Sequence, residues 1–341
     1  MSNNEERIKS EYRKRHSGGS SKRIRNLERQ VGMLWVLFFI IIVGVVVGLI
    51  HNFNGKIEAK HIKYVNILSD EIKFDADAAL TQTILDNYMS YLHKAYILYG
   101  TYPNYEYYKI SNNVARNEYD WSKDFYVDEG KLYYNYYKDG KALGKPGIDV
   151  SEFQKEIDWE KVKGTGMQVA IIRLGYRGYG KGTIVKDARY EENIKGATDV
   201  GLETGVYFFS AAINRDEGIE EANYCIENLQ GKKITQPVII DTEYVYEDAE
   251  ARSNVISVED RTAAVVGFCE TIEAAGYTPM IYASQDQFIK YLDIDQIGKW
   301  DFWLAAYDTP FFPYHTEGYQ YAPSGYVDGV DTLVDLNVWM R

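Results

Sequence analysis

A chain of 341 residues, 45% hydrophobic and 26% charged, is long enough for one large domain with an appendage or for two ordinary domains, and its composition excludes general disorder. Its formal net charge of −12 hides an asymmetry, because residues 1–30 carry nine Lys/Arg against four Asp/Glu while the remainder carries 29 against 46. That remainder is strongly acidic, which argues against nucleic acid as its partner, since phosphate binding needs a basic face.

In chain order, residues 1–30 read as a basic cytoplasmic tail, broken by Ser17 to Ser21, that touches anionic lipid heads. Val31 to Ile50 follows as twenty residues without a charge, enough at 1.5 Å rise per residue to span roughly 30 Å of hydrocarbon. With the basic residues ahead of it, the positive-inside rule predicts a single-pass helix at residues 31–50, an N-terminus in the cytoplasm and everything after it outside the plasma membrane. A cleaved signal peptide is the competing reading, disfavoured by the length of the run and by His51, Asn52 and Phe53 where small residues would mark cleavage.

Residues 51–144 are expected to form a helical and Tyr-rich stalk. No Pro or internal Gly interrupts Lys56 to Tyr99, which favours one or two helices ending before Pro103. Beyond it, Leu132-Tyr133-Tyr134-Asn135-Tyr136-Tyr137 ahead of Asp139-Gly140 predicts a strand and a tight turn. A small β-element packed on the main domain is favoured there over a separate sugar-binding module. The 31 tyrosines of the chain suit surfaces that stack on sugars, or reflect a compositional bias.

From residue 145 to 341, short apolar runs alternate with helical patterns. Strands are predicted at Val169 to Leu174, Gly205 to Ser210, Pro237 to Ile240, Pro279 to Ala283 and Phe302 to Tyr307. Helices are predicted at Ala188 to Val200, Asp216 to Leu229, Val258 to Ala275 and Gln285 to Leu292. Gly318 to Ala322 and Val334 to Trp339 are strand-like with no helix between them, so a barrel finishing in plain strands is favoured over a doubly wound open sheet. The glycines from Gly175 to Gly182 have neither dinucleotide-binding nor P-loop spacing. Cys225 and Cys269 fall in two predicted helices, where free buried thiols are favoured over a disulfide; no clustered His or third thiol suggests a metal, and no cofactor is implied.

In a parallel barrel the chemistry lies at the C-terminal ends of the strands, and here those ends are acidic. Asp241 and Glu243 follow one apolar run, and alternation puts their side chains on one side, about 6 to 7 Å apart at the backbone. Mutual repulsion should hold a proton on one of them near neutral pH while the other keeps its charge, which suits glycoside cleavage. Taken alone, Asp-x-Glu is weak evidence, and a solvated strand end or a calcium ligand pair explains it better than catalysis does. Asp149 and Asp335, each after or within an apolar pair, add two more acids.

Six stretches taken together resemble glycoside hydrolase family 25, the muramidases: Gly147-Ile-Asp-Val-Ser151 with Phe153-Gln154 and Ile157-Asp158-Trp159, Val238-Ile-Ile-Asp-Thr-Glu243, Met280-Ile-Tyr-Ala-Ser284, Phe302-Trp-Leu-Ala-Ala-Tyr307, Gly318-Tyr-Gln-Tyr321 and Val334-Asp-Leu-Asn337. The resemblance covers residues 145 to 341. It implies an α/β fold, an irregular (β/α)5(β)3 barrel, and hydrolysis of the β-1,4 bond between N-acetylmuramic acid and N-acetylglucosamine in peptidoglycan glycan strands. It also implies roles: Glu243 as general acid, Asp241 assisting the substrate's acetamido oxygen or the cationic transition state, and Asp149 and Asp335 in support. Tyr207, Tyr282, Trp303, Tyr307, Gln320 and Tyr321 would bind sugar. Many family members have Tyr-His-Phe where this chain has Tyr207-Phe208-Phe209, which puts any sugar contact from that position in doubt. Arg173 and Asp187 are expected to form a buried ion pair. Two other functions stay open: a catalytically silent glycan-binding scaffold, and a glycosidase for another N-acetylated glycan.

Overall fold

A computed structural model describes residues 94–340, except 102, 103, 128, 130, 308 and 309. The predicted tail, the membrane-crossing segment and most of the predicted helical stalk lie outside the described residues. Among the described residues, no helix is long and apolar enough to cross a membrane.

The described part begins with a hairpin, β1 (Tyr96–Thr101) and β2 (Asn104–Lys109), in which Thr101 pairs with Asn104. This corrects the expectation of helix up to Tyr99. Tyr96, Ile97 and Tyr99 are aromatic or β-branched, and antiparallel pairing accommodates such side chains better than a helix does. Next comes a three-stranded sheet of β3 (Phe125–Tyr126), β4 (Asn135–Lys138) and β5 (Lys141–Ala142). Its β4–β5 turn carries Asp139 and Gly140 at φ 51° and 72°, the two positive values that a two-residue hairpin demands and that Asp-Gly supplies cheaply. Phe125 and Tyr136 pack on Tyr319 and Val338, so this small sheet leans on the main sheet as expected.

The main sheet starts at Lys145. Its members are β6 (Lys145–Val150), β7 (Val169–Arg177), β9 (Glu203–Ser210), β10 (Val238–Thr242), β11 (Pro279–Ser284), β12 (Asp301–Ala305), β13 (Gly318–Gly325) and β14 (Val334–Trp339). They close into an eight-stranded barrel because β6 pairs with β7 in parallel and with β14 antiparallel. A short β8 (Ile184–Lys186) hangs antiparallel on the end of β7. The connections carry α1 (Trp159–Gly164), α2 (Tyr190–Asp199), α3 (Arg215–Leu229), α4 (Val258–Ala274), α5 (Gln285–Lys290) and α6 (Ile294–Ile297). Five β/α units therefore start at β6, and β12 to β14 are the three plain strands. The Phe302 run, expected to open a fifth unit, belongs to those three, while the fifth helical connection is the short α1 near the start.

Alternation sorts the side chains of each strand into two layers. Ile239, Met280, Trp303 and Trp339 fill the barrel interior, whereas Ile148, Ile172, Val206, Ile240, Ile281 and Leu304 face the helices. The helices are held close: a Cβ on Gly218 of α3 would lie 2.1 Å from the Ala264 carbonyl oxygen of α4. Asn214 and Ser257 cap these two helices by accepting the backbone N–H of Glu217 and Asp260, each cap contributing about 1 kcal/mol. Cys225 and Cys269 lie buried on the same pair of helices as free thiols.

Candidate active site

The inward row of each strand continues past the apolar floor into polar residues at the C-terminal end of the parallel strands. On β10, Ile239 is floor and Asp241 is the next inward position, with Glu243 one step beyond the strand. On β6 the inward position is Asp149; on β7, Arg173; on β9, Tyr207 and Phe209; on β11, Tyr282; on β12, Trp303. On the antiparallel β14, Asp335 lies directly beside Asp149 in register. All these residues line one pocket of about 270 Å³, together with Ser151, Phe153, Gln154, Tyr307 and Gln320.

Nine of the ten residues expected to form the site therefore converge: Glu243, Asp241, Asp149, Asp335, Tyr207, Tyr282, Trp303, Tyr307 and Gln320. Tyr321 does not line this pocket. It neighbours Gln320 on β13, so alternation turns it to the other face, where its ring lies 4.8 Å from that of Tyr134. The same rule settles Phe208, which faces outward, fully buried, against Tyr224 of α3. The departure from Tyr-His-Phe therefore falls outside the pocket, and the doubt attached to that position does not touch the cleft.

A polar network fixes the acids. The Asp149 carboxylate accepts from Gln320 Nε2 at 3.0 Å and from Asn337 Nδ2 at 2.7 Å. Gln320 Oε1 in turn accepts from the hydroxyls of Tyr282 at 2.8 Å and Tyr307 at 2.9 Å. Trp303 Nε1 donates to Asn337 Oδ1 at 2.9 Å. Each amide is thus oriented from both ends, so one carboxylate, two rings and an indole share a single arrangement. Asn337 was not singled out from sequence as a site residue, although its place two residues after Asp335 puts both on one face of β14.

At the mouth, Ser151 and Gln154 form a reciprocal cap on the turn after β6, which leaves the Phe153 ring 69% exposed. The Arg173 guanidinium lies 4.9 Å from that ring and binds Asp187 at 2.7 Å, the expected buried pair. Arg173 also binds Glu152 at 3.0 Å, so this pocket-lining cation is held by two carboxylates.

Burial raises the affinity of all four acids for protons. It pushes Asp149 up to about 6, Glu243 up to about 7 and Asp335 up to about 8. Asp241 is raised well above its ordinary value by burial first and then by the charge of Glu243. This differs from the simple split expected from sequence: burial acts on both carboxyls and raises both. Asp241 Oδ1 is buried with no protein hydrogen-bond partner. No group of three or more His, Cys, Asp and Glu among the described residues is arranged to hold a metal ion.

Such an arrangement can donate a proton from one carboxyl, place ionised Asp149 beside a developing cation, and accept a donor at the free Asp241 oxygen. Residues 148–330 match the model of glycosyl hydrolases family 25. Lysozyme M1 of Streptomyces globisporus is 36% identical over 104 residues, 30% of this chain and 33% of that protein. The autolytic lysozyme of Clostridium acetobutylicum is 23% identical over 193 residues, 56% of this chain and 54% of that protein. The chain thus spans between a third and about half of the length of these relatives. Among solved structures, the modular autolysin LytC of Streptococcus pneumoniae superposes with TM-score 0.53 at 26% identity, covering 63% of this chain and 52% of that one. The lysozyme of Streptomyces coelicolor superposes with TM-score 0.50 at 27% identity, covering 58% and 93%.

Proposed function

The chain belongs to glycosyl hydrolases family 25, and on that footing we propose that it is a peptidoglycan hydrolase cutting the β-1,4 bond between N-acetylmuramic acid and N-acetylglucosamine. The observation that carries this reading is the convergence of Asp149, Asp241, Glu243 and Asp335 on one aromatic-lined pocket, with Glu243 raised to about 7 by burial. Lysozymes among the relatives, and a LytC structure bound to a synthetic peptidoglycan ligand, support the substrate class.

In the proposed reaction Glu243 gives its proton to the glycosidic oxygen as the bond to the anomeric carbon breaks. Positive charge develops on the sugar ring, and Asp149, ionised above about pH 6 and clamped by Gln320 and Asn337, stabilises it. Asp241 is the acceptor for the N–H of the acetamido group, because its Oδ1 is buried and otherwise without a partner. Asp335, neutral below about pH 8, adds no competing charge at neutral pH. Water then supplies the hydroxyl that ends on the anomeric carbon and the proton that restores Glu243.

The reading includes location: residues 31–50 cross the plasma membrane and the barrel acts outside, supported by the uncharged run and its basic flank. One experiment addresses substrate and sidedness together. Labelled soluble peptidoglycan fragments and chitin oligosaccharides are supplied to intact cells carrying the chain. Peptidoglycan fragments should be cut and chitin left largely whole. Faster cleavage of chitin would move the assignment to another N-acetylated glycan, and cleavage only after lysis would contradict the orientation.

A further inference from the structure

We propose that the tyrosine-rich element ahead of the barrel adds a saccharide subsite to the cleft, a recess in which Trp121, Tyr134, Tyr307, Tyr319 and Tyr321 hold a sugar ring of the same glycan strand. The proposal rests on the glycosidase reading above and extends it to residues ahead of position 148, where the family match begins.

The recess has a volume of about 260 Å³, close to that of the carboxylate pocket, and the two adjoin through Tyr307. The hydroxyl of Tyr307 donates to Gln320 inside the carboxylate pocket, while its ring is 53% exposed and forms a wall of the recess. A glycan threaded past the acids therefore meets this surface next.

The walls are set before any ligand arrives. Trp121 Nε1 donates to the Phe312 carbonyl at 3.1 Å, and its indole lies stacked 4.9 Å from Phe125 and edge-on 5.0 Å from Tyr319. Tyr134, 39% exposed, stands tilted 4.8 Å from Tyr321. Rigid rings lose little freedom on binding, so contact energy is not spent on ordering them. The chemistry of the lining selects the occupant. Among the described residues, those lining the recess carry no charge, and an anionic or cationic ligand finds no compensating partner from them. Flat apolar faces with hydroxyl tips suit a neutral pyranose, which presents C–H groups on its faces and hydroxyls around its rim.

The location also gives a use to two tyrosines that the catalytic pocket leaves out, Tyr134 of the tyrosine run and the outward-turned Tyr321. Packing of Phe125 and Tyr136 on Tyr319 and Val338 fixes the small sheet against the barrel and so holds Tyr134 at the recess.

The test uses the whole chain and a ladder of soluble peptidoglycan oligosaccharides of increasing length. Wild type should show kcat/KM rising with length, and Tyr134→Ala should lower the ratio of long to short substrates by about tenfold, the scale of one lost ring contact. Tyr134→Phe keeps the ring and should retain the ratio. An unchanged ratio in Tyr134→Ala overturns the subsite and leaves the hydrolase assignment standing. If wild type cuts no member of the ladder, the hydrolase assignment falls instead, and calorimetric titration with the longest oligosaccharide decides the subsite. Affinity weaker by about tenfold in Tyr134→Ala supports it; equal affinity, or no binding by wild type, overturns it.

Discussion

Replacing Glu243 with Gln should lower peptidoglycan turnover by about 10³-fold while leaving the barrel folded and the glycan bound. Gln has nearly the shape of Glu, but its amide has no acidic proton to give the departing oxygen. Release of reducing ends measures the loss, and co-sedimentation with insoluble peptidoglycan measures retained binding. Equal release by both proteins would remove Glu243 from the mechanism. Loss of binding along with turnover would make it a contact residue instead.

The same substitution should stabilise the protein at high pH and not at low pH. Burial raises the folded-state pKa of Glu243 from 4.5 to about 7. Between these values the folded chain binds more protons than the unfolded one, so stability falls as pH rises through that window. Below about pH 4.5 the residue is protonated in both states and no difference remains. Each pKa unit corresponds to about 1.4 kcal/mol, so Glu243→Gln should gain about 1–3 kcal/mol at pH 8 and close to nothing at pH 4. Urea denaturation at the two pH values reads this directly. A gain of the same size at both pH values, or a loss at pH 8, would show that burial of the carboxyl is not the cause. Asp335, raised from 3.8 to about 8, acts in the same direction and steepens the decline in the parent protein.

The barrel and most of its site were legible from residue order because the strand period is short and strict. Once Val238 to Glu243 is read as strand, the inward placing of Asp241 and Glu243 follows, and the motif at Val334 to Asn337 brings Asp335 to the same end. What sequence did not show depends on pairing partners and on burial. Gln320 and Tyr321 both resembled sugar contacts, yet adjacent positions on one strand cannot face the same pocket. Phe208 looked like a missing site residue until its strand neighbours Tyr207 and Phe209 took the inward places. Asn337 went unremarked because its value lies in bridging Asp149 and Trp303, which are 188 and 34 residues away. Tyr96 to Tyr99 lacked helix breakers but paired as a hairpin, a preference that resides in the partner strand Asn104–Lys109 as much as in the segment itself. The joint raising of Asp241 and Glu243 was hidden for a similar reason: the spacing reveals their repulsion, but only the closed barrel reveals how deeply both are buried.

Mass analysis of the fragments released from purified peptidoglycan, after borohydride reduction, tests the assignment most directly. Reduced N-acetylmuramic acid at the new chain ends is the result expected when a proton from Glu243 opens the bond that this sugar donates. Reduced N-acetylglucosamine at those ends, or free peptides with intact glycan strands, would contradict it.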